Sequence, residues 1–375
     1  MPRRPWLPTL GYLLFLIAFV EIALQAFYYF TAGDFLFARV GRPLYVPDEY
    51  AGFWNKPDLS MVHNTNEFRT TWYTNREGLR VSASHEEYAP GEHPEALRIL
   101  LLGPSFAFGW GVNFEETFGE RLRDLLQRGG YAGGRKIELI NAGVPSLGAA
   151  ADLNWYAHRG RQYEPDLVIQ LIYGSMAVES KLNTEFEVNA AGYLVPKDET
   201  TARRLQATFK QSAIVFYGWL AYAKLRAAWQ QEPPAEGVLG AGREIKLHGR
   251  FDPDSPEVKD SLEFYEALRS EVAASGARLL VVYLPLSYCV HPKDASRWSH
   301  LGVRNVAAQI AFDDAFCRYL DARGIRCLNV TPDLVEAARE KNERLYYWLD
   351  IHWTPQGNLV AATAVAGGLL DREHR

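Results

Sequence analysis

Apolar positions fall into three patterns along the chain. The first is one long block, Leu10–Phe30 (LGYLLFLIAFVEIALQAFYYF), interrupted by a single charge at Glu21. It is long enough to cross a hydrocarbon core as a helix. The second, over 33–95, is irregular, aromatic and polar, and Thr74–Arg80 has the character of a turn before a strand. The third starts at Arg98. Short continuous apolar runs (RILLL, KIELIN, PDLVIQLIYG, ARLLVVYLP, IRCLNV) alternate with stretches of helical period (FEETFGERLRDLLQRGG, AAADLNWYAHRGRQY, SLEFYEALRSEVAASG, VAAQIAFDDAFCRYLDARG, NLVAATAVAGGLLDR). Continuous runs are the mark of strands buried on both faces, and their alternation with helices predicts an α/β domain with a covered parallel sheet.

One segment breaks this rhythm. Lys181–Arg250 contains VNAAGYLVP and then SAIVFYGWLAYAKL, too short and too interrupted for a second span. It is read as an amphipathic helix that covers the active edge or lies on a membrane surface. The expected organisation is a cytoplasmic N-terminus at 1–9, a transmembrane anchor at 10–32, a lead-in at 33–95, and an α/β domain at 96–375 with an insertion at 181–250.

Charge refines the picture. Arg3 and Arg4 precede the apolar block, which orients the N-terminus to the cytoplasm and places the rest outside, in the periplasm of a Gram-negative cell. A cleaved signal peptide is the rival. The block is long for one, no small-x-small site follows, and no lipobox cysteine is present. Glu21 and Gln25 share a helix face. Either Glu21 is a protonated residue tolerated in a strong span, or the pair forms a docking face for another membrane protein. The net charge of −5, with no basic stripe, excludes nucleic acid as a partner. The three cysteines, Cys289, Cys317 and Cys327, have no zinc-ligand spacing; they allow at most one disulfide and leave at least one thiol free.

Candidate chemistry sits at strand ends. The first buried strand stops at Gly103-Pro104-Ser105, so Ser105 lies at the carboxyl edge of the sheet, where open α/β sheets carry their sites. Capping the next helix is the alternative role for this serine. Asp350 and His352 lie together just before the last helix. A nucleophile, a base and an acid that orients the base are the parts of a serine hydrolase. The backbone N–H groups of Ser105 and Gly143 supply two walls of an oxyanion hole.

Four stretches together resemble the SGNH (GDSL-type) hydrolase family, in its membrane-anchored branch related to alginate-acetylation proteins: NREGLR at 75–80, GPSFAFGWGV at 103–112, NAGVPSLG at 141–148 and DIHWTPQGN at 350–358. The resemblance implies a flavodoxin-like three-layer α/β/α sandwich with a parallel sheet. It implies ester hydrolysis or acyl transfer, with Ser105 as nucleophile, His352 as base, Asp350 as its partner and Gly143 in the oxyanion hole. It implies no metal and no organic cofactor. The chain also departs from the family pattern. Pro104 stands where the family has Asp, Ala107 where it has Thr, and Tyr173-Gly174-Ser175-Met176 where it has Gly-Asn-Asp, so a Ser175 hydroxyl would replace the Asn donor. Losing one preorganised donor of this kind costs about 10²–10³ in kcat. Two functions follow: a membrane-anchored serine esterase or O-acyltransferase acting on envelope glycans, or a pseudoenzyme that serves as a subunit of a membrane protein complex.

Overall fold

The computed structural model describes residues 6–32, 35–36, 43–65, 67–89, 95–178, 186–197, 211–218, 221, 250–297, 303, 305–341, 343–348 and 350–373. Of the expected insertion at 181–250, everything outside 186–197, 211–218, 221 and 250 lies beyond the described residues.

The long apolar block forms helix α1, Trp6–Ala32. Within it Pro8–Thr31 is long and apolar enough to cross a membrane, and the side chains of Pro8–Val20 are exposed. In a water-soluble fold an exposed apolar face this long would be highly unfavourable. A signal sequence near an N-terminus has the same character.

The α/β domain is built on an eight-stranded sheet in the order β12-β11-β8-β6-β7-β5-β4-β3. Its five parallel strands are β6 (Leu97–Leu102), β7 (Ile137–Asn141), β8 (Leu167–Tyr173), β11 (Arg278–Leu284) and β12 (Cys327–Asn329). Taken alone in chain order they run 2-1-3-4-5, the flavodoxin-like order, with its switch point between β6 and β8. Successive residues point to opposite faces. Leu100, Leu102, Val168, Ile172 and Val281 pack on one face with α4 (Ala149–His158), α5 (Pro256–Ala274) and α8 (Val306–Asp321). Ile99, Leu101, Ile169, Leu171 and Val282 pack on the other with α3 (Phe118–Arg128), α9 (Thr331–Lys341) and α10 (Pro355–Glu373). That is the three-layer sandwich, and it explains why these strands read as unbroken apolar runs.

Two features differ from the sequence expectation. The sheet is mixed, not parallel throughout. The lead-in, expected to be irregular, contributes three antiparallel strands: β3 (Ser60–Asn64), β4 (Arg69–Thr74) and β5 (Arg80–Val81). It also forms a separate hairpin of β1 (Tyr45–Asp48) and β2 (Gly52–Asn55). These strands are short and have one polar face. In β4 only the alternation of buried Thr70, Trp72 and Thr74 marks the period. Helix α9 is the second addition, since no apolar stripe set it apart in the sequence. In the insertion, β9 (Phe186–Val188) and β10 (Leu194–Pro196) form a hairpin.

The lead-in motif at 75–80 is architectural. Asn75 Oδ1 accepts from the N–H groups of Glu77 and Leu79, closing a turn in which Gly78 has φ of +75°. A side chain on Gly78 would strike the Asn55 carbonyl at 2.5 Å. Arg80 is fully buried; it donates to the carbonyls of Tyr73 and Val81 and lies over the ring of Phe108. Burial pulls its guanidinium down to about 9, against the charge of Glu115.

Of the three cysteines, Cys317 on α8 and Cys327 on β12 form the disulfide. Cys289 is a buried free thiol, and burial pushes its acidity down further.

Candidate active site

The site forms where β6 ends. Gly103 has φ of +132°, and a side chain there would meet the Leu171 carbonyl at 2.8 Å, so only glycine allows this crossing of β8. Pro104 follows as the N-cap of a single helical turn, α2 (Ser105–Phe108). Its carbonyl accepts from the N–H groups of Ala107 and Phe108. Pro104 thus occupies a position that needs no N–H, since the first turn of a helix has donors to spare and acceptors in use. Gly109, with φ of +82°, closes the turn by donating its N–H to the Ser105 carbonyl. Ser105 opens the helix, so its N–H is not consumed by it.

The last block reaches the same point from the far end of the chain. Tyr346 and Trp353 form a bridge, with Tyr347 N–H donating to the His352 carbonyl and Thr354 N–H to that of Leu345. Thr354 then caps α10 by accepting from Gly357 N–H at 3.2 Å. A side chain on Gly357 would collide with the Leu345 carbonyl at 2.0 Å. Asn358 Oδ1 accepts from Phe118 N–H at the start of α3. These contacts fix the loop that carries Asp350 and His352.

Ser105, His352 and Asp350 come together. Ser105 Oγ–H donates to His352 Nε2 at 2.5 Å, and His352 Nδ1–H donates to Asp350 Oδ1. Asp350 Oδ1 also accepts the His352 backbone N–H at 3.0 Å. Burial pushes the Asp350 carboxyl up, but the facing His352 and its two hydrogen bonds more than offset this and hold it below the usual carboxylate range. Phe106 and Trp110 flank the imidazole, with ring centroids 5.0 and 5.6 Å from it.

Trp110 has a second role that the sequence reading passed over. Its Nε1–H donates to Asp350 Oδ2 at 3.3 Å. The indole packs among His63, Trp72 and His352, so β3 and β4 of the lead-in brace the catalytic loop from outside the parallel sheet. The signal lay inside GPSFAFGWGV, but nothing in the sequence joins position 110 to position 350.

Gly143 lies beside the serine turn, though its N–H donates to Asn141 Oδ1 at 3.0 Å. That differs from the expected free oxyanion donor. The Asn141 amide also donates to the Ala107 carbonyl, and Asn55 donates to the Gly143 carbonyl, so two asparagines tie the second block to the first. The requirement for glycine at 143 is therefore steric as well: a Cβ would sit 2.3 Å from the Phe108 nitrogen. Gly174, with φ of +47°, ends β8 at the same edge; the Ser175 side chain lies outside what the structure describes.

Glu21 and Gln25 lie elsewhere, on α1. In place of a face left open for another protein, both are engaged by this chain. Glu21 accepts from Ser212 Oγ and the N–H groups of Ala213 and Ile214, and Gln25 donates to Glu21 and to the Gln211 carbonyl.

Residues 248–374, which include Asp350 and His352, match the family model described as SGNH hydrolase-like domain, acetyltransferase AlgX. No curated protein matches the chain. Similar solved structures include an inhibitor-bound aryl esterase of M. smegmatis (13% identity, 73% of this chain and 98% of that one, TM-score 0.39). They also include a psychrotrophic esterase from Pseudoalteromonas sp. (12% identity, 74% and 100%, TM-score 0.38). A third is a GDSL-like lipase from Bacteroides thetaiotaomicron (11% identity, 76% and 92%, TM-score 0.37). Over residues 248–374, therefore, the chain is similar to the SGNH hydrolase-like domain of acetyltransferase AlgX.

Proposed function

We propose that this protein is a membrane-anchored serine enzyme that forms an acyl-serine at Ser105 and acts on O-acyl esters of cell-envelope polysaccharide. The observation that carries the reading is the continuous hydrogen-bonded chain from Ser105 Oγ through His352 to Asp350. Ser105 Oγ attacks the acyl carbon while its proton passes to His352 Nε2, and Asp350 stabilises the imidazolium. Collapse expels the donor alcohol, which takes that proton. Water then releases the acyl group as an acid, or a sugar hydroxyl accepts it as a new ester; His352 deprotonates either one. The Ser105 N–H faces the developing oxyanion. Gly143 N–H joins it by turning from Asn141, and that change is a cost to the rate.

The match to an acetyltransferase-type domain favours transfer to a hydroxyl acceptor over hydrolysis. Helix α1, preceded by Arg3 and Arg4, favours a single span with the domain on the periplasmic side. The same hydrogen-bonded chain speaks for an enzyme over a scaffold subunit, for which Asp350 and His352 would have no use.

The test is fluorophosphonate labelling of the full-length protein in membranes, wild type beside Ser105→Ala. Labelling that vanishes with Ser105→Ala is expected. Equal labelling of the two, or none of the wild type, overturns the reading. Adding an oligosaccharide acceptor to a short acyl ester then separates transfer from hydrolysis.

A further inference from the structure

We infer that residues 211–218 of the insertion are a membrane-embedded element that enters the bilayer beside α1, with Glu21 and Gln25 satisfying its backbone. The inference rests on α1 being the membrane anchor.

Glu21 is ten positions before Thr31, the last residue of the apolar span, and so about 15 Å below its end at 1.5 Å per residue. The hydrocarbon core is about 30 Å thick, which puts Glu21 near its middle. The other end of the contact lies 191 to 193 residues later. Ser212 Oγ donates to Glu21 at 2.8 Å, Ala213 N–H at 2.7 Å and Ile214 N–H at 3.0 Å, with Gln25 Nε2 as a fourth donor at 2.9 Å. Gln25 Nε2 also donates to the Gln211 carbonyl at 2.8 Å, and Gln25 Oε1 accepts Leu36 N–H at 3.0 Å. Above this network Ala213 and Phe216 bury themselves against Tyr28, and Tyr217 meets Phe27.

The alternative is that α1 emerges from the bilayer before Glu21 and the contact is made in water. Only Trp6–Val20 would then remain to span. Fifteen residues rise about 22 Å, short of the 30 Å core. The chemistry argues the same way. In water, helix-start N–H groups can be capped or simply hydrated, so a cap is optional. In hydrocarbon each unpaired backbone group costs several kcal/mol, and irregular backbone is tolerated only where protein satisfies it. A carboxylate with four donors, two of them helix-start N–H groups, meets both needs at once. The outward residues of the segment are Val215, an exposed apolar side chain, and Gly218. The partner of this face is therefore lipid.

The test uses the full-length protein in liposomes, with a nitroxide on one introduced cysteine. The native disulfide and the buried Cys289 leave the introduced thiol as the reactive one. The sites are Val215→Cys, Phe15→Cys in the span and Glu266→Cys on the exposed face of α5. The label at 215 should be relaxed by oxygen and lose nearly all relaxation by a water-soluble nickel chelate, as at 15 and unlike 266. Adding Glu21→Ala should restore nickel access at 215. Nickel access at 215 with none at 15 overturns this inference and leaves the anchor standing. Nickel access at both overturns the anchor and this inference with it.

Discussion

Trp110 Nε1–H donates to Asp350 Oδ2 at 3.3 Å, while Asp350 Oδ1 serves His352. The two carboxylate oxygens thus have separate duties: one orients the base and the other is held by the indole. Trp110 acts through Asp350 and is a positioning residue. Trp110→Phe keeps a ring against His352 and removes the donor. A hydrogen bond to a charged group is worth about 1.5–3 kcal/mol, so kcat should fall about 10- to 100-fold on a short acyl ester. KM and thermal stability should change little. A fall in kcat no larger than the error, or one matched by loss of stability, would remove this role from Trp110.

Gly143 separates two explanations for a glycine in a site. As an N–H donor alone it would tolerate alanine, which keeps the N–H. As a residue in close contact it would not, because a Cβ meets Phe108 N at 2.3 Å and the Ala107 carbonyl carbon at 2.6 Å. Those atoms belong to the turn that carries Ser105. Gly143→Ala should therefore displace Ser105, abolish its probe labelling and destabilise the protein by about 1–3 kcal/mol, the usual cost of overpacking. Melting temperature and labelling, read together, check it. Normal labelling in a fully stable variant would mean that the turn yields.

What the sequence revealed was what is local. The buried strands β6, β8 and β11 were plain because both faces are covered, so each reads as an apolar run. Ser105, Asp350 and His352 were plain because Gly103 ends the strand before the first and Pro355 opens the helix after the other two. The strands of the lead-in were hidden because β5 has two residues and β4 shows its period in three side chains. The partners Trp110 with Asp350, Asn55 with Gly143 and Glu21 with Ala213 were hidden for another reason. Each joins positions 88 to 240 residues apart, and no periodicity within a window records such a pairing. Glu21 and Gln25 could be recognised as anomalous in an apolar helix. What satisfied them could not.

The disulfide lies away from the triad and offers a control on stability alone. It closes a ten-residue separation between α8 and β12, tying an outer helix to the edge strand of the sheet. Loop-closure entropy for a segment of this size gives about 2–3 kcal/mol. Cys317→Ala with Cys327→Ala should lower the melting temperature by about 3–5 °C in a domain of this size. Ser105 labelling at 25 °C should be unchanged. A variant that melts with the wild type would place the stabilisation elsewhere.

Asp313 should make stability depend on pH. It is buried beneath β11, where its Oδ1 accepts from Tyr283 O–H at 2.6 Å and Gln309 Nε2 at 2.5 Å. Burial pushes its carboxyl up to about 6, and the two donors only partly oppose this. An unfolded Asp titrates near 3.8. Between those values the folded protein binds the proton that the unfolded chain releases, so stability falls as pH rises through this window and stays low above about 6. Asp313→Asn keeps an acceptor for both donors and carries no charge at any pH. Relative to wild type, it should be more stable at pH 7.5 than at pH 4 by at most about 3 kcal/mol. The comparison is the difference in melting temperature between variant and wild type at the two pH values, which cancels other titrating groups such as Glu120. A difference that stays constant across the window would mean that Asp313 does not change its protonation there.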